Sequence, residues 1–215
     1  GHRADLPALS RLCREAGAAL VVDGIQSLGA VPMDVRAAGV DILAANGAKW
    51  LLAPIGTTIL YVRREWIERL QPVYAYYTAK PEVEPYLCYD WTLRADARRF
   101  EPSSPSVDGV YGLRAALSLL LEVGIERIYP YLLDLTDRLL AGLDRLGAEV
   151  LTPRERERRA GIVSCRTRDV AGDFVRLQEA HVVVSQREGY LRISPHFYNT
   201  AEEVDRLLEV LAPSA

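Results

Sequence analysis

Apolar positions in the first part of the chain follow a helical period and then a strand period. Between residues 6 and 13 apolar side chains recur every three or four positions, and the pattern stops at Gly17, which predicts an amphipathic helix. Three short, mostly apolar runs follow, at 18–22, 40–45 and 57–62. Such runs are typical of strands covered on both faces, so the pattern predicts an α/β unit with a mostly parallel sheet.

The second half has a different pattern of apolar and polar positions. Residues 71–105 are rich in Tyr, Pro and charge without clear periodicity, which indicates a long connection of the kind that tends to be functional. The further predicted elements are helices at 107–123, 124–146, 173–180 and 201–211 and strands at 161–166, 182–185 and 190–194. Thr200 and Glu203 have the spacing of a capping box. We therefore expect two domains, residues 1–105 and a small α+β domain with its connecting helix at 106–215.

Composition excludes several classes of function. The net charge of −3 and the pI near 5.7 give no large basic field, and no stretch has the length of a membrane span, so we expect neither a nucleic-acid nor a membrane partner. The three cysteines, Cys13, Cys88 and Cys165, have neither metal-ligand spacing nor an even count. This predicts no metal site and a cytoplasmic location. Because the chain runs into a helix after a few residues, we expect it to begin within a longer protein.

Two charged residues follow adjacent predicted strands. Asp23 ends the run VVD, and Lys49 follows the next run in the segment AANGAKWLLAPIG. In a parallel sheet both lie at the edge where α/β proteins bind ligands. A pyridoxal cofactor needs such a pair, because an Asp keeps the pyridine nitrogen protonated and a lysine amine forms the Schiff base. Each residue alone is more often a cap or a solvated side chain.

These segments resemble the class V aminotransferase family of fold-type I pyridoxal-phosphate enzymes. The family includes cysteine desulfurases, selenocysteine lyases and isopenicillin N epimerase-like proteins. The resemblance implies that Asp23 pairs with the pyridine nitrogen, that Gln26 binds the ring hydroxyl, that Asn46 contacts the phosphate and that Lys49 forms the aldimine. Ala48 departs from the pattern, because the family commonly has His before the lysine.

Two further segments carry the resemblance. LRISPHFYNTAEEVDRL matches the C-terminal signature, which implies that Arg192 binds the substrate carboxylate and that His196 and Asn199 are structural. RRFEPSSPSVDGVYGL is similar to a segment that reaches the cofactor phosphate of a partner subunit, which implies a homodimer and a phosphate contact from Ser104. Serines before a helix are also capping residues, and Ser106 is the better placed of them for that role.

The sequence therefore predicts the C-terminal part of a large pyridoxal-phosphate-binding domain followed by a small domain, acting on the α-carbon of an amino acid. An aminotransferase-like reaction is our leading interpretation. An epimerase, a β-eliminating lyase and a non-catalytic truncated relative stay open. Desulfuration is disfavoured, because HVVVSQREGYLR contains no cysteine before the substrate-binding arginine. A nicotinamide-binding domain is disfavoured by the lack of G-x-G-x-x-G. We expect the aromatic residues of the long connection either to line a pocket or to pack an interface: Tyr74, Tyr76, Tyr77 and Trp91.

Overall fold

The computed structural model describes residues 1–81 and 92–212, which form two compact units. The first unit holds residues 6–28 and 33–122, and the second holds residues 1–5 and 29–32 together with the chain from Val123 onward. The contacts of the helix at 107–123 place all but its last residue in the first unit, and the predicted domain boundary at 105/106 stays a prediction. Cys88 and Trp91 lie outside the described residues.

The first unit is built on a three-stranded sheet of order β1-β2-β3. Its elements are α1 (Leu6–Glu15), β1 (Val21–Asp23), β2 (Ile42–Asn46), β3 (Thr58–Val62), α2 (Arg64–Ile67) and α3 (Val107–Val123), with 3-10 turns at Tyr77–Ala79 and Ala97–Phe100. β1 and β2 are parallel, whereas β3 is antiparallel to β2. The α/β class is confirmed, but pairing in this part of the sheet is mixed.

The two faces of this sheet differ in burial. On one face Leu43 and Ala45 are buried in a small core to which α1 contributes. On the other face Val21 is 63% exposed and Leu60 is 42% exposed, with the exposed Ala44 between them. The prediction that these strands are covered on both faces is therefore wrong for the described residues. A continuous apolar run reports hydrophobicity on both faces, not the presence of an element that covers each of them.

The second unit contains an antiparallel sheet of order β4-β5-β7-β6 and three helices. Its elements are α4 (Ile125–Arg145), β4 (Glu149–Val150), β5 (Val163–Arg166), α5 (Val170–Glu179), β6 (Ser185–Arg187), β7 (Tyr190–Ile193) and α6 (Ala201–Leu211), with a 3-10 turn at Arg156–Arg158. The strand predicted at 182–185 is displaced. His181 has a positive φ of 57° and Val183 is 95% exposed, so pairing begins only at Ser185.

The core of the second unit lies between the sheet and its helices. Leu139 and Leu143 from α4, Leu177 from α5 and Leu191 from β7 are completely buried there. The last helix starts at the predicted capping box: the Thr200 side chain and the Glu203 side chain each bind the other residue's backbone N–H. Asn199 donates to the Glu203 carboxylate, which agrees with a structural role.

None of the helices in residues 1–81 and 92–212 is long and apolar enough to cross a lipid bilayer. No group of three or more His, Cys, Asp or Glu side chains among these residues is arranged to hold a metal ion.

Candidate cofactor and substrate site

Asp23 and Lys49 lie at the same edge of the first unit's sheet. Asp23 is the last residue of β1, and Lys49 follows the end of β2 by three positions. β1 and β2 are parallel neighbours, with Asp23 paired to Ala44, so both follow the carboxyl ends of adjacent strands. Both side chains are exposed. Oδ1 of Asp23 accepts a 3.0 Å hydrogen bond from the Ile25 backbone N–H, and within the described chain Oδ2 accepts none.

A closed backbone loop presents Lys49. The Gly47 N–H donates to the Thr57 carbonyl at 2.8 Å, and the Gly47 carbonyl accepts from the Ala53 N–H at 2.9 Å. Within the loop, the Leu52 N–H donates to the Lys49 carbonyl at 3.0 Å, with Leu52 in the left-handed region at φ 57°. These bonds fix the backbone on both sides of the lysine.

The same loop explains why position 47 is glycine. A Cβ added to Gly47 would lie 2.3 Å from Thr57 Oγ1 and 2.9 Å from the Cβ of Ala53. Thr57 is buried and its hydroxyl donates to the Pro54 carbonyl at 2.8 Å, so it has little freedom to move. The loop therefore closes tightly only around a residue without a side chain.

Gln26 is bound to the residue that follows the lysine. The indole Nε1–H of Trp50 donates a 3.1 Å hydrogen bond to Oε1 of Gln26. Trp50 is 5% exposed, and a buried indole N–H ordinarily finds a partner. Because an indole only donates, the atom it meets must be the carbonyl oxygen, and the Gln26 amide nitrogen is then directed elsewhere as a donor. The contact joins the Asp23 segment to the Lys49 segment.

Asn46 has its amide oriented in the same way. Its Oδ1 accepts a 2.7 Å hydrogen bond from the Ala48 backbone N–H. That donor fixes the carbonyl end of the side chain, and the NH2 group of Asn46 remains as a hydrogen-bond donor at the end of β2. An amide donor is the chemical property that the predicted phosphate contact requires.

Ser104 lies in the same unit, ahead of α3. Its hydroxyl is 3.2 Å from the hydroxyl of Tyr77, and the side chain is exposed. Ser106, rather than Ser104, caps the helix, because its hydroxyl accepts from the Gly109 N–H at 3.2 Å. A Cβ on Gly109 would lie 2.9 Å from the Thr57 side chain, so the start of α3 approaches the loop that follows Lys49 closely.

Arg192 belongs to the second unit. It lies in β7, paired with Ser164 of β5 on one side and with Ser185 of β6 on the other. The side chain is half-buried. Burial lowers the pKa of Arg192, and the positive charge of Arg187 lowers it further. Both effects disfavour the cation, and an anion bound beside it would offset them.

Trp50 is the residue of this site that sequence reasoning missed. The signal was present, since a tryptophan directly after the proposed cofactor lysine carries one donor that needs an acceptor when it is buried. The acceptor lies 24 positions away along the chain, so local patterns do not identify it.

A family model for aminotransferase class-V matches residues 1–207. The chain belongs to the class V aminotransferase family. Among curated members of the family it is 31% identical to an uncharacterized aminotransferase, YcbU, of Bacillus subtilis, over 99% of this chain and 56% of YcbU. It is 32% identical to a probable cysteine desulfurase of Pyrococcus abyssi, over 94% of this chain and 54% of that protein.

Solved structures of the family have the same fold. The apo structure of a cysteine desulfurase from Thermococcus onnurineus NA1 superposes with a TM-score of 0.89 at 27% identity, covering 98% of this chain and 56% of the other. This similarity confirms that the chain has the fold of part of a class V enzyme. The chain spans about half the length of the curated family members that it matches.

Proposed function

We propose that this chain supplies the lysine-bearing part of a pyridoxal 5'-phosphate site in an enzyme that acts on the α-carbon of an amino acid, with an aminotransferase-like reaction. The observation that carries the proposal is the Trp50–Gln26 hydrogen bond, which joins the two segments of the site and orients the Gln26 amide as a donor. In a C-DES structure of the same fold, 25% identical to this chain, glycine is covalently linked to the PLP cofactor.

The donors and acceptors of the first unit match the functional groups of this cofactor. Asp23 offers an exposed carboxylate for the pyridine N–H, and Gln26 offers an amide N–H for the ring hydroxyl oxygen. The Asn46 amide NH2 suits a phosphate oxygen, and Lys49 offers an exposed amine for the aldehyde. When bound, the cofactor supplies an electron sink for the bonds of the substrate α-carbon.

The protein's own groups then do the positioning and the proton transfer. With the cofactor in place, Asp23 would keep the ring nitrogen protonated, and the Lys49 amine would accept and return the α-proton of the substrate. Arg192 binds the substrate carboxylate with two parallel hydrogen bonds. Ala48, which stands where the family commonly has His, cannot move a proton, so we assign that task to Lys49 alone.

Aminotransferase-like chemistry is favoured over desulfuration by the segment that precedes Arg192 and by the burial of Cys165. The segment 181–192 contains no cysteine, and Cys165 is completely buried in the core of the second unit. Burial raises the pKa of Cys165 to about 11, and the nearby charge of Asp173 acts in the same direction. A thiol of this kind is a poor nucleophile at neutral pH.

We further propose that the complete enzyme is a homodimer, in which Ser104 contacts the phosphate of the partner's cofactor. Exposed apolar residues recur along one side of α3 and favour contact with another surface: Val107, Val110, Tyr111 and Leu121. The hydroxyl of Ser104 is exposed at the start of this helix.

Borohydride trapping tests the cofactor assignment sharply, because Lys49 and Lys80 are the only lysines in the sequence. The purified chain is incubated with pyridoxal phosphate, reduced with borohydride and mapped by mass spectrometry. We expect modification at Lys49 in the wild type and in Lys80→Ala, and its loss in Lys49→Ala. The same experiment is repeated with the upstream half of a family member added. Equal modification of both lysines, or none with the added half, would refute the cofactor site.

A further inference from the structure

The sheet of the second unit has one face packed on its core and one face that carries polar side chains. Leu191 and Ile193 of β7 point to the core, so the alternate residues Tyr190 and Arg192 lie on the opposite face. The pairing of β6 with β7 places Arg187 opposite Tyr190 on that face. Arg166 of β5 lies on the same face, because its guanidinium stacks 4.2 Å from the ring centre of Tyr190.

The arginines of this face differ in their partners. Arg166 has an aromatic partner in Tyr190 and a carboxylate partner in Glu149, at 3.8 Å. Arg187 is exposed, and among the described residues no carboxylate lies within ion-pair distance of it. Arg187 thus adds a positive charge to this face that the neighbouring side chains do not neutralise.

Arg187 and Arg192 are diagonal neighbours across the β6–β7 pair. Their register places Arg187 opposite Tyr190, and Arg192 two positions further along β7. Diagonal positions of an antiparallel pair are about 7–8 Å apart, a separation that long side chains bridge easily. The positive charge of Arg187 contributes to the lowered pKa of Arg192, in accord with this proximity. The serines paired with Arg192, Ser164 and Ser185, add hydroxyl groups beside it.

From this arrangement we infer that Arg187 is a specificity-determining residue, which binds a second acidic group of the substrate beside the carboxylate held by Arg192. The substrate class is then an amino acid with an acidic side chain. The inference rests on the proposed function of Arg192. Two arginines side by side suit a dianion, since each guanidinium forms charge-assisted hydrogen bonds to one carboxylate and the ligand offsets their mutual repulsion.

Glutarate and pentanoate provide matched probes, because they have the same number of carbons and differ in one carboxylate. We would titrate each into the purified chain at low ionic strength and follow the β6–β7 resonances by NMR. A charge-assisted contact at an exposed position predicts that the wild type binds glutarate about two- to fivefold more tightly than pentanoate. Arg187→Gln is expected to weaken glutarate binding more than pentanoate binding and so to remove that preference, whereas Arg187→Lys retains part of it.

Arg166→Gln is the matched control, because it removes the same charge from the same face at a residue that already has partners. It is expected to keep the preference for glutarate. If pentanoate binds through Arg192 but glutarate binds no more tightly, or if Arg187→Gln and Arg166→Gln behave alike, the role of Arg187 is refuted and Arg192 keeps its role. If neither probe binds and Arg192→Gln changes nothing, both roles are refuted.

Discussion

Removing the indole donor of Trp50 is the most informative perturbation of this chain. Trp50→Phe keeps an aromatic ring at a position that is 5% exposed but deletes the N–H that binds Gln26 at 3.1 Å. The variant loses one hydrogen bond, leaves a partly buried amide oxygen without its donor, and creates a small cavity. We expect the free energy of unfolding to fall by about 1–3 kcal/mol.

The same change acts on the cofactor through Gln26. Without the indole, the Gln26 amide can turn its oxygen toward the ring hydroxyl, so the cofactor loses at most one hydrogen bond. A bond of this kind contributes about 0.5–1.5 kcal/mol, which predicts a dissociation constant for pyridoxal phosphate that rises roughly 2- to 10-fold. Stability is measured by urea unfolding and affinity by titration of the cofactor absorbance.

A double-mutant cycle separates the hydrogen bond from the loss of the larger ring. Trp50→Phe, Gln26→Ala and the double variant should give a coupling energy of about 0.5–1.5 kcal/mol. Trp66→Phe is the matched control, because Trp66 is half-buried and stacks on Arg69 instead, 4.1 Å from the ring centre. A coupling energy of zero, or equal cofactor affinity in the two Trp→Phe variants, would refute the positioning role of Trp50.

Two further predictions concern the loop at Lys49 and the last helix. Gly47→Ala brings a methyl group against Thr57 and is expected to cost about 1–3 kcal/mol in urea unfolding and to reduce labelling of Lys49; Gly24→Ala, whose Cβ meets nothing closer than 3.4 Å, should cost less. The Thr200 N–H and the Asn199 amide lower the pKa of Glu203 below its ordinary 4.5, so its carboxylate stabilises the fold above that pH. That stabilisation should disappear as the pH falls through the lowered value, and acid titrations of Glu203→Gln should lack this component.

Elements that depend on local signals were predicted well. Both long helices, α3 and α4, and the capping box of α6 depend on spacing and capping chemistry between residues that are close in sequence. The direction of a strand and the burial of its faces do not depend on residues close in sequence. The antiparallel pairing of β3 and the exposure of Val21 are set by neighbours elsewhere in the fold.

In the candidate site, too, local sequence patterns predicted some features, whereas contacts between distant residues determined others. Asp23 and Lys49 were placed at one sheet edge by the rule that parallel strands end together, and the structure has them there. The orientation of the Gln26 amide depends on Trp50, 24 positions away, and no sequence pattern encodes that contact. The valine run at 182–184 illustrates the opposite error, because strand propensity was strong there but no partner strand begins before Ser185.

The uncovered face of the first unit's sheet has a practical consequence for work with the isolated chain. Val21, Ala44 and Leu60 place adjacent apolar groups in contact with water on neighbouring strands. Surfaces of this kind drive precipitation and non-specific adsorption as concentration rises. Sample lifetime should therefore improve on dilution. Both expression yield and sample lifetime should improve with a co-expressed polypeptide that shields these three side chains. Light scattering during purification would show which condition reduces association.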